Sequence, residues 1–464
     1  MNARKEISRR ELFAAAGLAT AAGATGPMQQ QPSGRPAERL LLKGGCVLTL
    51  DAQVGDFEKA DVLIEGTRIQ EVRPDIDAAS ATTIDATDAI LMPGFVDTHR
   101  HMWQGALRNL IPDALLSDYS RDITGAARAV FRPEDAQIGN LITALGAINA
   151  GVTTALDWSH IGNSPEHSDA AIEGLRESGL RAVYGYGGGI GAQSQFPGDI
   201  RRLRQRHFSS SDQLLTLAMA TGANVGDWRL AREVGAPITL HLMGANATES
   251  VKNEMRSDVT YIHCTNLAGS DWQRIQSSGG NVSLACPIEM AMGHGVPPIL
   301  ETLAHGIRPS LSTDVETEMP GDFFTQMRTV FTLQRMLALQ QQRAGGPNPP
   351  RLLTARDVIE FATIEGARDN RLDSKIGTLT PGKEADVILL RMDRINVMPV
   401  NNVYGAIVLG MDTSNVDTVL IRGKIMKRHG QLVDVDLDRI RKRVTASRDY
   451  IVARAGLPRT LFGR

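Results

Sequence analysis

Pro93-Gly94-Phe95-Val96-Asp97-Thr98-His99-Arg100-His101-Met102-Trp103 is the stretch on which the reading of this chain turns. Residues 94–99 form a short apolar run that reads as a buried β-strand, and it ends in two histidines spaced by two. Residues i and i+2 of a strand share a face, so His99 and His101 can grip one ion together, with Asp97 expected on the same face behind them. Further along the chain, three more ligand-type residues close similar apolar runs: His241 in PITLHLMG, His263 in TYIHCTN and Asp314 in PSLSTDVE. Imidazoles with a carboxylate form a donor set that suits Zn²⁺ or Fe²⁺ and leaves room for water. The expectation is a hydrolase built around one divalent metal, Zn or Fe.

The strands carrying these ligands belong to a longer alternation. Strand patterns fall at 94–99, 152–158, 181–187, 214–220, 237–243, 259–265, 281–287 and 308–314, with helical patterns such as SDAAIEGLRESGL between them. This predicts an α/β fold, a (β/α)₈ TIM barrel at 93–369, with the ligands at the C-terminal strand ends where such barrels keep their active sites. The flanks read as β. RLLLKGGCVLTLD and ADVLIEGTRIQEV precede the barrel, and IGTLTPGKEADVILLRMD and VDTVLIRGKIMKRHG follow it. A small β-sandwich-like domain is therefore expected from both chain ends, 39–92 and 370–435. Residues 436–464 read as a C-terminal helix and tail, with Asp436 as N-cap and Leu437, Ile440 and Val444 on one face.

The first 24 residues read as a signal peptide, not as part of the fold. Arg9 and Arg10 precede AAAGLATAAGA and an A-x-A site, a twin-arginine type of export signal, and 25–38 reads as a linker. The expected location is periplasmic or extracellular. The apolar stretch is too short to span a bilayer, so no membrane anchor is expected. The 464 residues are 42% hydrophobic and 22% charged with a net charge of −2, which argues for a globular enzyme and against a nucleic-acid partner. A small-molecule substrate is the expected partner, and a homo-oligomer is left open. Cys46, Cys264 and Cys286 show no CxxC pairing and are too few for a disulfide scaffold, and the last two, in predicted strands, read as buried hydrophobes.

PGFVDTHRH, the ordered strand-end His, His and Asp, and the closing IGTLTPGKEADVILL together resemble the amidohydrolase superfamily, across nearly everything after the linker. The barrel segments are most similar to the cytosine deaminase and triazine hydrolase branch, whose members hydrolyse C–N or C–Cl bonds on heteroaromatic rings. That resemblance implies one metal held by His99, His101, His241 and Asp314, with His263 acting beside it on the water or substrate. Two departures matter. Many deaminases of the branch carry a Glu three residues after the strand-5 His as a proton shuttle, but here Leu242, Met243 and Gly244 follow His241. Binuclear members use a modified lysine near the end of strand 4, and LLTLAMATGAN has none.

Glu289, after strand 7 in CPIEMAMGHG, is either the substitute for the missing acid or a solvated loop carboxylate. Trp103 and Gln104 suit a pocket floor that stacks on a flat ring, or Trp103 anchors the first loop instead. His160 and His294 are placed to contact substrate or to pack the loops. The mechanism expected from the ligand set is attack by a metal-bound water of lowered pKa, with Asp314 taking its proton, His263 holding the oxygen and Glu289 supplying acid. The reaction predicted is cleavage of a non-peptide C–N bond in a cyclic amide, urea, carbamate or amino-heterocycle. Deamination or dehalogenation of a heteroaromatic ring is the alternative. A non-hydrolytic isomerase or decarboxylase, or a lapsed binding protein, remains open on the same barrel.

Overall fold

The computed structural model describes residues 38–345, 348–458 and 461–462. The expected signal peptide and the linker up to residue 37 lie outside the described residues.

The chain first builds β1 (Arg39–Val47), β2 (Phe57–Glu65), β3 (Arg68–Arg73), β4 (Thr82–Asp85) and β5 (Ala89–Pro93). It then enters eight strands: β6 (Phe95–Arg100), β7 (Val152–Gly162), β8 (Arg181–Gly188), β9 (Leu215–Ala220), β10 (Ile238–Leu242), β11 (Val259–His263), β12 (Asn281–Leu284) and β13 (Ser310–Leu311). These pair in sequence order, every neighbour parallel. The two ends meet where Asp314 bridges to Arg100: its N–H donates to the His99 carbonyl at 2.9 Å, and its carbonyl accepts from the His101 N–H at 2.8 Å. A parallel barrel results, and the link that closes it runs through three residues of the site.

Val96, Leu156, Val183, Ala218 and Ile262 pack together inside, joined by Ala367, Leu372 and Ile376. Gly366 makes that approach possible, because a Cβ there would lie 2.7 Å from the Val96 carbonyl oxygen. The predicted strands 281–287 and 308–314 are shorter than expected. Pro287 sits in the first turn of a helix, Cys286–Ala291, so Cys286 is helical and not in a strand, and Glu289, which follows strand 7 as expected, lies on that helix. Cys264 likewise falls one residue past β11. All three cysteines are buried and free.

The chain returns as β14 (Val387–Arg391), β15 (Val416–Ile421), β16 (Lys424–Arg428) and β17 (Gln431–Leu432), which continue the first sheet through β14 against β5. β1 is bulged around Gly44, whose φ is +79°, and its two halves pair with β4 and β5 respectively. The sheet wraps a core of its own, with Leu42, Val62, Ile84, Leu91, Val387 and Leu420 in it. It is tied to the barrel by charge. Arg181, at the start of β8, donates to Asp386 at 2.7 and 2.9 Å and to Glu384 at 2.5 Å, all three buried. These are the acids of the KEADVILL stretch. The last helix, Leu437–Ala455, is capped by the Asp436 carboxylate as expected. Its buried face is Ile440, packed on Ile138, Leu141 and Leu145, with Ile451 and Val452; Leu437 is instead exposed in the first turn.

Candidate metal centre

The strand ends bring ligand-type residues to one point, but the compact group holds His263 in the place expected for His101. Donor atoms of His99, His241, His263 and Asp314 all lie within 4.8 Å of one another. His99 Nε2 sits 3.0 Å from Asp314 Oδ1 and 3.2 Å from His241 Nε2. His101 Nε2 lies 3.3 Å from the same Asp314 oxygen, and its Nδ1 faces the Trp158 carbonyl at 2.8 Å, which leaves Nε2 as the inward lone pair. His263 Nε2 is 3.7 Å from Asp314 Oδ2. Of this group only His241 is partly exposed. Burial, then the neighbouring His99, pushes the His101 ring down to about 3, so it is held neutral and ready to ligate. His241 is likewise held well below the usual histidine range by burial first. Imidazole nitrogens crowded beside a carboxylate fit a divalent cation.

The backbone is bent to make this arrangement. His263 and Asp314 have φ of +70° and +64°, left-handed values that β-strand residues avoid. Such outliers persist where surrounding structure holds them, typically at functional sites. β6 is irregular as well. Its ladder with β7 slips between Asp97 and Arg100. Asp97 therefore does not share the ligand face as the strand period suggests. It pairs with Arg100 at 3.2 Å and accepts from the Thr313 N–H at 3.2 Å, pinning β6 to the segment that carries Asp314.

Glu289 is no solvated loop acid. It is fully buried, and its Oε1 meets His263 Nδ1 at 3.1 Å and accepts from the Ala285 N–H at 2.8 Å. Burial would lower the His263 pKa, but the Glu289 contact and the Asp314 charge raise it above the usual value. His294 lies edge-on to His263 with ring centroids 4.7 Å apart, and burial pushes it down to about 4. His160 stacks on His101 at 4.2 Å and accepts from the Trp103 indole N–H at 3.0 Å. Trp103 itself is fully buried, edge-on to Phe131, so its indole belongs to the core of the first loop and offers no floor to a ligand. Gln104 is also buried and donates to the Tyr119 hydroxyl at 2.5 Å. His167 is a satisfied packing residue between Ser164 and the Phe131 carbonyl.

Sequence reasoning passed over several neighbours. The Trp158 and His241 ring centroids lie 4.3 Å apart, and the place of Trp158 at the end of the sequence-read run 152–158 is a usable signal. Asp157, pushed up to about 7 by burial, accepts from the Met102 N–H at 3.1 Å and fixes the turn after His101. Tyr119 ends a short helix, Leu116–Tyr119, and Glu318 lies in a turn, with no local pattern to mark either.

Residues 90–426 match the amidohydrolase family. The chain belongs to that family. It is 25% identical over 443 residues to a 5'-deoxyadenosine deaminase of Methanosarcina mazei, covering 89% of this chain and 99% of that one. A 5-methylthioadenosine/S-adenosylhomocysteine deaminase of Symbiobacterium thermophilum is 26% identical over 421 residues, 84% of this chain and 93% of that one. Among solved structures, an adenosine deaminase from Xanthomonas campestris with bound zinc superposes with a TM-score of 0.76 at 21% identity, covering 90% of this chain and 99% of the other. Atrazine chlorohydrolase from Arthrobacter aurescens TC1 complexed with zinc gives 0.75 at 20% identity, covering 88% and 100%. The amidohydrolase has the family's fold, a parallel eight-stranded barrel beside a sheet from the chain ends.

Proposed function

We propose that this amidohydrolase is a metal-dependent hydrolase of a non-peptide C–N bond on a small amino-heterocycle, with a single Zn or Fe ion. The observation that carries the reading is the convergence of the His99, His241, His263 and Asp314 donor atoms at the mouth of the barrel. His101, braced by the Trp158 carbonyl, completes the ligand set with His99, His241 and Asp314. Two further features support the substrate class. The relatives named above include deaminases of adenosine-type compounds. Met243, Met290 and Val296 are exposed apolar side chains, each within two residues in the chain of His241, Glu289 or His294, and would suit the flat body of a ring. Dehalogenation stays in view as a second reading because no carboxylate follows His241.

A divalent ion bound here acidifies water and polarises the scissile bond. Asp314 accepts the proton that water loses. His263, held through Nδ1 by Glu289, presents Nε2 to the oxygen that enters the product. Glu289 is thus a positioning residue for His263. His294 and His160 stand beside the ligands, placed to hydrogen-bond the ring.

The test is a panel of amino-heterocycles, cyclic amides, ureas and carbamates offered to the metal-loaded protein in ¹⁸O-water. We expect amine or ammonia release, one ¹⁸O in the product, and about one ion per chain by elemental analysis, because β9 ends in Ala218, Met219 and Ala220 with no bridging lysine. Unlabelled product overturns the hydrolase reading. Two ions per chain, with activity rising in step, overturn the single-ion reading.

Export is proposed on Arg9 and Arg10. Changing both to Lys should hold the uncut protein in the cytoplasm, whereas the wild type is cut and exported. A wild type that stays uncut in the cytoplasm removes the proposal.

A further inference from the structure

Cleaving a C–N bond leaves an amine that must take a proton, and the usual donor is missing. Leu242, Met243 and Gly244 follow His241, and Glu289 is engaged with His263 and the Ala285 amide. The segment after Asp314 offers another acid. It is anchored from several sides: Asn109 N–H donates to the Glu316 carbonyl at 3.0 Å, Ile111 N–H to the Thr317 carbonyl at 3.3 Å, and Arg100 to the Gly321 carbonyl at 2.6 Å. Arg108 also pairs with the Glu316 carboxylate.

Held in this frame, Glu318 is 9% exposed, and among the described residues neither of its oxygens has a hydrogen-bond partner. Glu318 follows Asp314 by four residues, in the segment tied to Asn109, Ile111 and Arg100. The Gln104 Oε1, on the residue that holds the Tyr119 hydroxyl, is likewise buried and unpartnered. A buried polar group without a partner is costly and calls for an explanation such as a catalytic role. Here two such groups lie on segments that carry metal-site residues, Glu318 four residues after Asp314 and Gln104 three after His101.

We infer that Glu318 is the acid that protonates the departing nitrogen. The inference rests on the hydrolase reading above. Water's oxygen bonds to the carbon and its proton passes to Asp314. The C–N bond breaks with its electron pair going to nitrogen, and nitrogen takes the Glu318 proton. Glu318, left ionised, is reprotonated by the proton Asp314 accepted, so the sum is one water consumed and one amine released. Burial first, then the charges of Asp314 and Asp118, hold the Glu318 carboxyl up at about 8, so it carries its proton at neutral pH.

Glu318→Gln tests this with the metal-loaded protein on one heterocycle carrying amine leaving groups of graded basicity. Metal content should not change. For the most basic amine, kcat should fall by ~10²–10⁴, the range for general acid catalysis, and the loss should shrink as the leaving group becomes less basic. Selective ¹³C-carboxyl labelling supplies a readout apart from turnover: one glutamate still protonated at pH 6, absent from Glu318→Gln. An equal loss across the series, a raised KM with unchanged kcat, or a Glu318 ionised below pH 5 overturns the inference alone. A wild type that binds metal and hydrolyses nothing on the panel overturns the hydrolase reading and this inference with it.

Discussion

Alanine at His99, His101 or His241 should strip the metal and abolish turnover together, while alanine at His263 should leave most of the metal in place and lower kcat by ~10²–10⁴. The first three changes each remove a nitrogen of the proposed ligand set. His99 stands at the centre, 3.0 Å from Asp314 and 3.2 Å from His241, and is fully buried. His101 is fixed by the Trp158 carbonyl. His263 is different. Its closer carboxylate contact is to Glu289 at 3.1 Å, and it faces Asp314 at 3.7 Å. Its donor atom nonetheless falls within the compact group with His99, His241 and Asp314, so the experiment discriminates between a ligand and a partner of the oxygen. Elemental analysis of each variant beside its kcat gives the answer. A His263→Ala protein that has lost its metal, with a His101→Ala protein that keeps it, would exchange the two roles. Glu289→Gln should follow His263→Ala in kcat with metal retained, as a positioning role requires.

The second large effect is on stability. Arg181→Met should cost about 3–5 kcal/mol, because it leaves Asp386 and Glu384 buried without their main counter-charge. Arg181 is 2% exposed and makes three hydrogen bonds to the two acids. Arg422, the other cation near them, sits 3.5 Å from Glu384 and is half-buried. Its replacement by Met should cost about 1 kcal/mol or less, as for exposed pairs. The shift of the urea midpoint at unchanged slope measures both. Equal shifts would show that the barrel and the end sheet are not joined through Arg181.

Much of this was legible from the chain because it is local. Apolar runs of six or seven residues marked the barrel strands, a His or Asp at or near the end of four of them marked the functional ends, and a strand's own residues determine that pattern. PGFVDTHRH and GTLTPGKEADVILL tied the two halves of the end sheet to one family. Local period misled where a bulge broke it. Asp97 shares parity with His99, yet the slip in β6 turns it to Arg100 and Thr313. Strand 7 stopped early because Pro287 opens a helix, and that put Glu289 behind His263.

What the sequence by itself determined is the fold class, the order of the ligands and the kind of metal they suit, since periodicity and donor type are properties of short segments. What only the tertiary structure decided is which side chains meet. Trp103 is sealed into the core, Glu289 braces a ligand-side histidine, Arg181 reaches acids some two hundred residues away, and Glu318 is buried with no hydrogen-bond partner among the described residues. Each depends on contacts between segments far apart in the chain, and no spacing within one segment encodes them.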